Sequence, residues 1–419
     1  MKAEILCVGT EILLGDIVNT NAAFIAKELA SIGINVYHQE VIGDNSERLK
    51  ETLEMAFGRS DILIMTGGLG PTYDDLTKEP VAEYFGLELE LDEPSLVHIK
   101  ECLKRYKKAM TKNNEKQAWF PKGATIFKNG HGTAPGFAVE KDGKTAILMP
   151  GPPREMQPMM LESVIPYLRK DSDKVLVSRS IHVFNMGESR VEAILKDKMV
   201  AYQNPTLAPY AKEGECLVRI TAKASTETEA EAMIAPCLAR VQRELGAFAY
   251  GVDTPNIETC AAELLLRQQK TIAVADSCTG GMLGDMLTNV PGASAIFAGG
   301  IIAYNNDTKT RLLDVDPALI ARCGAVSPEV AGAMAEHARA IFGTDLAMSI
   351  TGLAGPEGDG VHTVGTLFVA LATPDGTFHR TLHKDKWGRV RIKHAAANHA
   401  FDMVRRYLTG LPVEIEENR

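Results

Sequence analysis

The sequence predicts a multi-domain α/β protein. It has an α/β domain with a parallel sheet over residues 1–170, a small α+β module over 175–250, and a second α/β domain over 257–410. Three observations point there. The chain of 419 residues has room for roughly two or three domains of ordinary size. Short apolar runs alternate with segments of helical spacing at both ends, the rhythm of strands and crossover helices in a parallel sheet. Between them, the stretch 175–250 changes character.

Residues 4–9 (EILCVG) form a short apolar run ending in glycine, as a buried strand does. Residues 21–32 have helical spacing, with Phe24, Leu29 and Ile32 on related faces and Gly33 as the stop. Residues 34–41 alternate like a strand. Residues 46–57 read as a helix with Ser46 as N-cap and Leu49, Leu53 and Ala56 on one face. Residues 61–66 are a strand entering the loop GGLGPTYDD, after which Thr77 caps a helix over 77–85. The Lys- and Glu-rich run 99–116 reads as a solvated helix. A strand at 145–149 leads into PGPPREM and a helix over 153–169. In the middle stretch, 175–186 and 215–225 read as strands, 188–199 and 227–245 as helices, and 250–256 as a turn-rich boundary. A helix over 257–269 then precedes the strand TIAVAD. Further strands follow at DLAMSI and VGTLFVAL, and the polar tail EIEENR reads as frayed.

Composition narrows the function classes. The chain is 45% hydrophobic and 24% charged, ordinary for a globular protein. Lys+Arg is 45 against Asp+Glu 54, a net charge of −9, which argues against coating DNA or an anionic membrane. Small phosphorylated ligands need only a few local donors and stay open. The N-terminus has a short apolar run broken by Glu4 and Glu11, so it reads as neither a signal nor a transit peptide. The charge-free stretch 286–306 carries Pro291, Asn289 and Ser294 and reads as buried loop and strand rather than a membrane span. Seven scattered cysteines without a C-x-x-C pair suggest neither a disulfide framework nor structural zinc, and fit a reducing cytoplasm.

The loop Thr66–Asp75 follows a strand and precedes a helix. Glycines there let backbone approach a ligand, and the helix start offers N–H groups to an anion. A carboxylate beside such a loop can hold Mg²⁺ against phosphate oxygens. Asp44 follows the second strand, so in a parallel sheet Asp44 and Asp75 reach the same edge. The competing roles are helix caps for both. The string is neither a nicotinamide fingerprint nor a Walker loop, because no G-K-[ST] follows.

VGTEILLGDIVNTN, TGGLGPTYDDLTKE, NGHGTAPGF and MPGPPREM resemble the N-terminal part of the CinA family, competence/damage-inducible proteins with a molybdopterin-binding, MogA/MoeA-like fold. The resemblance covers about the first 170 residues and implies a metal-dependent ADP-ribose pyrophosphatase. It implies Asp44 and Asp75 as the acidic catalytic and metal positions, with Mg²⁺ or Co²⁺ assisting attack of water on the diphosphate. Asn19, Asn21 and the backbone of Gly67, Gly68 and Gly70 would lie near the ligand, with Thr133 and Gly136 closing over it. Pterin binding without hydrolysis is the less specific alternative.

The strand TIAVAD runs into Ser277-Cys278-Thr279-Gly280-Gly281 and a helix. A serine at such a turn is presented beside backbone N–H groups, the general arrangement of a nucleophile with an oxyanion hole. No His and Asp complete a triad in the sequence. A desolvated lysine can serve as base, and Lys309, after the next strand, is the candidate. The competing roles are an N-cap for Ser277 and a solvated surface position for Lys309, and the pattern alone leaves both open. Cys278 is a rival nucleophile or a buried thiol. The string Ser349–Gly360 reads as a glycine loop able to bind phosphate, or as a long turn between strands.

ADSCTGG, AYNNDTK, GAVS and SITGLAGPEG also resemble the CinA family, in its C-terminal, PncC-like domain, over about 258–410. That resemblance implies hydrolysis of nicotinamide mononucleotide to nicotinate mononucleotide and ammonia, with no cofactor. Ser277 would be the nucleophile, with Lys309 and Tyr304 assisting proton transfer. Thr279, Gly280 and Gly281 would shape oxyanion and phosphate contacts. Asn306, Ser349, Thr351 and Gly352 would line the site, and Arg389 would pair the substrate phosphate. Asp276 stands where the family has Glu, Trp387-Gly388 replaces its Gly-Asp, and His362-Thr363-Val364-Gly365 replaces its Lys-Pro-Val-Gly. The middle module resembles the family's KH-like connecting domain. It lacks a G-x-x-G clamp beside basic residues, which argues against RNA binding and for a spacer or dimerisation role. The whole implies a homodimeric, bifunctional pyridine-nucleotide salvage hydrolase, with a nucleotide- or pterin-binding regulator linked to competence as the alternative.

Overall fold

A computed structural model describes residues 2–73, 75–105, 107, 109–169, 175–212 and 214–415. The chain divides into two compact units, Met1–Ser178 with Ala222–Met233, and Arg179–Thr221 with Ile234–Arg419.

In the first unit the strands are β1 (Lys2–Val8), β2 (Asn35–Ile42), β3 (Ile62–Thr66), β4 (Leu89–Leu91), β5 (Trp119–Pro121), β6 (Thr125–Phe127), β7 (Gly136–Lys141) and β8 (Lys144–Met149). The main sheet runs β2-β1-β3-β8-β7-β6. Its first four strands are parallel, and β7 and β6 add antiparallel at one side. Alternation along β1 and β3 feeds two cores. Ile5, Cys7 and Ile64 pack under the helices Thr20–Ser31 and Pro153–Met159, while Leu6, Val8, Leu63 and Met65 pack under the helix Ser46–Arg59. Glu4 is fully buried in β1, and its carboxylate is held by Arg59 and Ser60.

Several local expectations need correcting. Asn45, not Ser46, caps the third helix, its side chain accepting from Arg48 N. Thr77 stands at an N-cap position without a side-chain cap bond; its hydroxyl donates to Gly67 O instead. The run 99–116 is not one solvated helix. It holds the end of a helix Glu93–Arg105, whose Leu96, Ile99 and Leu103 are buried, and a separate turn Lys112–Glu115. The helix at 153–169 contains a π-helical turn, Met160–Val164, after Pro158. Residues 416–419 of the tail lie outside the described residues.

Strands β9 (Val175–Phe184), β10 (Thr206–Lys212), β11 (Glu215–Ala224) and β12 (Ala249–Val252) form a sheet of order β10-β11-β9-β12, with helices Glu188–Ala201 and Glu227–Leu245. The edge strands β10 and β12 were not expected. β10 is half-exposed and carries Pro209, so it lacks the alternation of a core strand.

The last sheet has β13 (Ile272–Asp276), β14 (Phe297–Ile302), β15 (Leu346–Gly352), β16 (Thr366–Thr373) and β17 (Gly376–His383) in the order β14-β13-β15-β16-β17. β14, β13 and β15 are parallel; β16 and β17 are antiparallel. Ile272 and Val274 face a core with the helices Ile257–Gln268 and Arg389–Leu408, and Ala273 and Ala275 face the helix Pro328–Phe342. β14 is a half-exposed edge rather than a buried strand. Among the described residues no helix is long and apolar enough to cross a membrane.

Candidate active sites

The carboxyl ends of β1, β2, β3 and β8 open into a cavity of about 400 Å³. Gly67, Gly68 and Gly70 line it together with Asp44, Asp75 and Thr133, and Asp75 lies against Gly70, where a Cβ would come within 2.4 Å of its Oδ2. The glycines are required by space. Gly67 and Gly68 have φ of +97° and +66°, and a Cβ on Gly68 would lie 1.7 Å from Thr77 Oγ1.

Neither aspartate caps a helix. Asp44 Oδ2 accepts from Thr10 N at 3.1 Å and Thr10 Oγ1 at 2.9 Å. Asp75 Oδ2 accepts from Thr72 N at 2.9 Å and Thr72 Oγ1 at 2.5 Å. Among the described residues the other carboxylate oxygen of each takes no hydrogen bond from the protein. Beneath the loop, buried Lys78 donates to the carbonyls of Lys116, Gln117 and Trp119. Burial pushes its pKa down to about 7, against the opposing charge of Glu79. The clamped segment presents Gln117, whose Nε2 donates to Leu69 O, and Lys116, whose Nζ donates to Asp75 O.

Asn19 and Asn21 do not line the cavity. Asn19 caps the helix Thr20–Ser31, and Asn21 Nδ2 donates to Gly151 O at 2.7 Å, which supports the cavity's Pro150–Pro152 rim. Gly136 is buried in β7, where a Cβ would strike Met159 and Leu148 O; its role is packing. Sequence reasoning missed Glu155 and Gln117, which both line the cavity. Glu155 accepts from Asn129 Nδ2 at 2.8 Å. The signal was present in PREM and NEKQA as one acid and one of two amides, which nothing local marks as facing a ligand.

The second cavity, of about 250 Å³, lies where β13 and β15 end. It gathers Ser277, Lys309, Tyr304, Asn306, Thr351, Gly352 and Arg389. Ser277 does not cap the following helix, whose N-cap is Gly281. Its N–H is tied to Ile350 O, and its Oγ lies 3.0 Å from Lys309 Nζ, which also donates to Ala303 O at 2.9 Å. Lys309 is not a surface lysine: it is 2% exposed, and burial pushes its pKa below the ordinary lysine value. Burial pushes the Cys278 thiol up to about 12, which leaves it inert as a nucleophile. Burial likewise raises Asp276 to about 6; its Oδ2 accepts from Leu283 N, fixing the start of the helix. Among the described residues the N–H groups of Cys278 and Thr279 donate to no backbone carbonyl.

Arg389 donates to Gly355 O at 2.5 Å and to Tyr304 Oη at 3.1 Å, joining the glycine loop to the serine's neighbourhood. Thr279, Gly280, Gly281 and Ser349 do not line the cavity. Gly280 and Gly281 turn the chain with φ of +69° and +99°, Thr279 is buried behind them, and Ser349 Oγ donates to Ala331 O. Thr351 Oγ1 donates to Ala325 O at 2.9 Å.

Family models match the chain in three blocks: a "Probable molybdopterin binding domain" over 4–170, a "Damage-inducible protein CinA KH domain" over 178–251 and a "CinA C-terminal domain" over 254–408. A competence-damage inducible protein of Clostridium botulinum is 47% identical over 97% of this chain and 100% of its own length. The chain belongs to the CinA family. A second CinA relative, from Acetivibrio thermocellus, is 46% identical over 98% of this chain and 100% of its own. A solved CinA protein of unknown function from Thermoplasma acidophilum is 38% identical over 39% of this chain and 97% of its own, with a TM-score of 0.36. Both cavities fall inside matched blocks, the Asp44/Asp75 cavity in the molybdopterin-binding block and the Ser277 cavity in the CinA C-terminal block.

Proposed function

We propose that the protein is a bifunctional hydrolase of pyridine-nucleotide salvage. The Ser277 site converts nicotinamide mononucleotide and water to nicotinate mononucleotide and ammonia. The Asp44/Asp75 site converts ADP-ribose and water to AMP and ribose 5-phosphate. The observation that carries the reading is the buried Lys309 Nζ at 3.0 Å from Ser277 Oγ.

Neutral Lys309 takes the Ser277 proton as Oγ attacks the carboxamide carbon. The N–H of Cys278, the residue after Ser277 and itself part of the cavity lining, receives the developing oxyanion. Lys309 returns the proton to the departing nitrogen, so ammonia leaves and an acyl-enzyme remains. Water then adds with Lys309 as base, and Ser277 is released carrying its proton. Arg389, held by Tyr304, pairs the substrate phosphate.

In the other site Asp44 and Asp75 would hold a divalent cation, Mg²⁺ or Co²⁺. The donors fit: two carboxylates facing one cavity beside a phosphate-binding glycine loop suit a hard cation that completes its shell with phosphate and water oxygens. Among the described residues no three acidic, His or Cys side chains form a full cage. The cation would supply Lewis-acid activation of the diphosphate. The glycine loop binds and orients that group, and Gln117 and Glu155 line its surroundings. The reading includes a homodimer, checked by sedimentation equilibrium.

The deciding experiment incubates the protein with nicotinamide mononucleotide in EDTA, with Ser277→Ala alongside. Ammonia from the unmodified protein only supports the reading. Equal rates, or a nucleotide that raises Tm without turnover, favour a binding protein.

A further inference from the structure

Glu357 is the one acidic side chain among the described residues that line the Ser277 cavity, and the proposed chemistry leaves it unused. It is exposed, and among the described residues its carboxylate takes no hydrogen bond and no ion pair. The loop that carries it is braced on both sides. Before it, Gly355 has a φ of +90°, and its carbonyl accepts from Arg389 Nη1 at 2.5 Å. After it, a Cβ on Gly358 would lie 2.4 Å from His362 O, so the chain folds back on itself there. Asp359 Oδ1 accepts from Val361 N at 3.0 Å and from His362 N at 2.6 Å. The His362 ring meets Phe368 edge-on, with centroids 5.6 Å apart. A carboxylate on such a frame has less freedom to lose on binding than one on a loose loop.

Its place along the cavity follows from the chain. Ser277 Oγ and Lys309 Nζ mark the end that takes the carboxamide, and Arg389 the end that takes the phosphate. Glu357 is two residues beyond Gly355, whose carbonyl Arg389 holds, and two residues span at most about 7 Å. The carboxylate is therefore within reach of the phosphate-side half of the substrate, where the neighbour of the phosphate is a ribose. An unpaired carboxylate near a bound phosphate costs affinity unless the ligand offers it a donor. The vicinal hydroxyls of a ribose are such donors, and an acidic side chain reads a ribose hydroxyl in the same way in dinucleotide folds.

We propose that Glu357 is a specificity-determining residue of the Ser277 site: it accepts from the ribose 2′- and 3′-hydroxyls and restricts the site to pyridine ribonucleotides with a free vicinal diol. This rests on the nucleotide placement of the proposed deamidase, with the carboxamide at Ser277 and the phosphate at Arg389. The competing role for the same charge is repulsion of the phosphate, and the two roles have opposite signs in experiment.

The test reads binding apart from turnover. Calorimetry on Ser277→Ala, which cannot consume the ligand, compares nicotinamide mononucleotide, its 2′-deoxy analogue and nicotinamide riboside. The 2′-deoxy analogue binds about tenfold more weakly than nicotinamide mononucleotide, and adding Glu357→Ala closes that gap to about twofold or less. Glu357→Gln, which keeps an acceptor, leaves an intermediate gap. With Ser277 in place, Glu357→Ala raises KM for nicotinamide mononucleotide about tenfold at nearly constant kcat, as loss of a contact made equally before and during reaction does. A gap that survives Glu357→Ala overturns the proposal. So does tighter binding of nicotinamide mononucleotide in Glu357→Ala with nicotinamide riboside unchanged, which marks a charge that repels phosphate. The expected binding pattern in a protein that releases no ammonia fails the deamidase reading and keeps the ribose contact. No binding of any of the three overturns both.

Discussion

The two candidate sites share a construction and differ in how they prepare their chemistry. Each lies where parallel strands run into a glycine loop. At the C-terminal site the reactive pair is dry: Ser277 is 6% and Lys309 2% exposed, and burial itself drives the lysine toward the neutral form a base needs. At the N-terminal site the aspartates are only half-buried, each fixed through one oxygen by a neighbouring threonine. A protein base must be tuned by its surroundings, whereas a carboxylate that is to share a cation must stay charged and open. The contrast can be broken from either side.

The largest effect is expected at the dry pair. Ser277→Ala lowers deamidation by at least about a thousandfold and leaves ADP-ribose cleavage unchanged. Lys309→Arg, which keeps the charge and cannot deprotonate, is expected to be as damaging. Retained activity in the arginine variant, in an ammonia-release assay, would remove the base role. Next comes Asp75→Asn, expected to lower ADP-ribose cleavage about a hundredfold with deamidation intact; excess divalent metal recovers part of the loss. Loss of both activities together would mean that the two sites are not chemically separate.

The pH profile sharpens the difference. The ammonium form of Lys309 cannot accept the serine proton. Deamidation kcat/KM therefore rises about tenfold per pH unit while Lys309 is charged and levels off once it is neutral. Burial lowers this pKa from 10.5, so the plateau arrives below the ordinary lysine range. A rise that continues through pH 10.5 would show Lys309 to be as well solvated as a surface lysine.

The same contrast explains what could be read from the chain. The strand–loop–helix rhythm, the glycine loops, Ser277 and Lys309 were visible, because apolar periodicity and turn chemistry are local. Whether Ser277 was a cap and Lys309 a surface charge could not be decided locally; it took the burial of Lys309 beside Ala303 O, across 32 residues from Ser277. Glu155 and Gln117 reach their cavity only because Asn129 and Lys78 hold distant segments in place. The edge strands β10 and β12 escaped for a related reason, since an edge needs no continuous apolar face.

The smallest expected effect tests how firmly the open site is held. Thr10→Val keeps the backbone N–H bond to Asp44 at 3.1 Å and removes the hydroxyl bond at 2.9 Å. The rim is solvated, so water replaces the lost donor and net stability changes by about 1 kcal/mol or less. The carboxylate gains rotational freedom, and the metal concentration for half-maximal ADP-ribose cleavage rises about threefold at constant kcat. At the dry site no such substitution is mild, because a buried partner has no water to take its place. A Thr10→Val loss as large as that of Asp75→Asn would show that the hydroxyl itself, and not the carboxylate it steadies, meets the ligand.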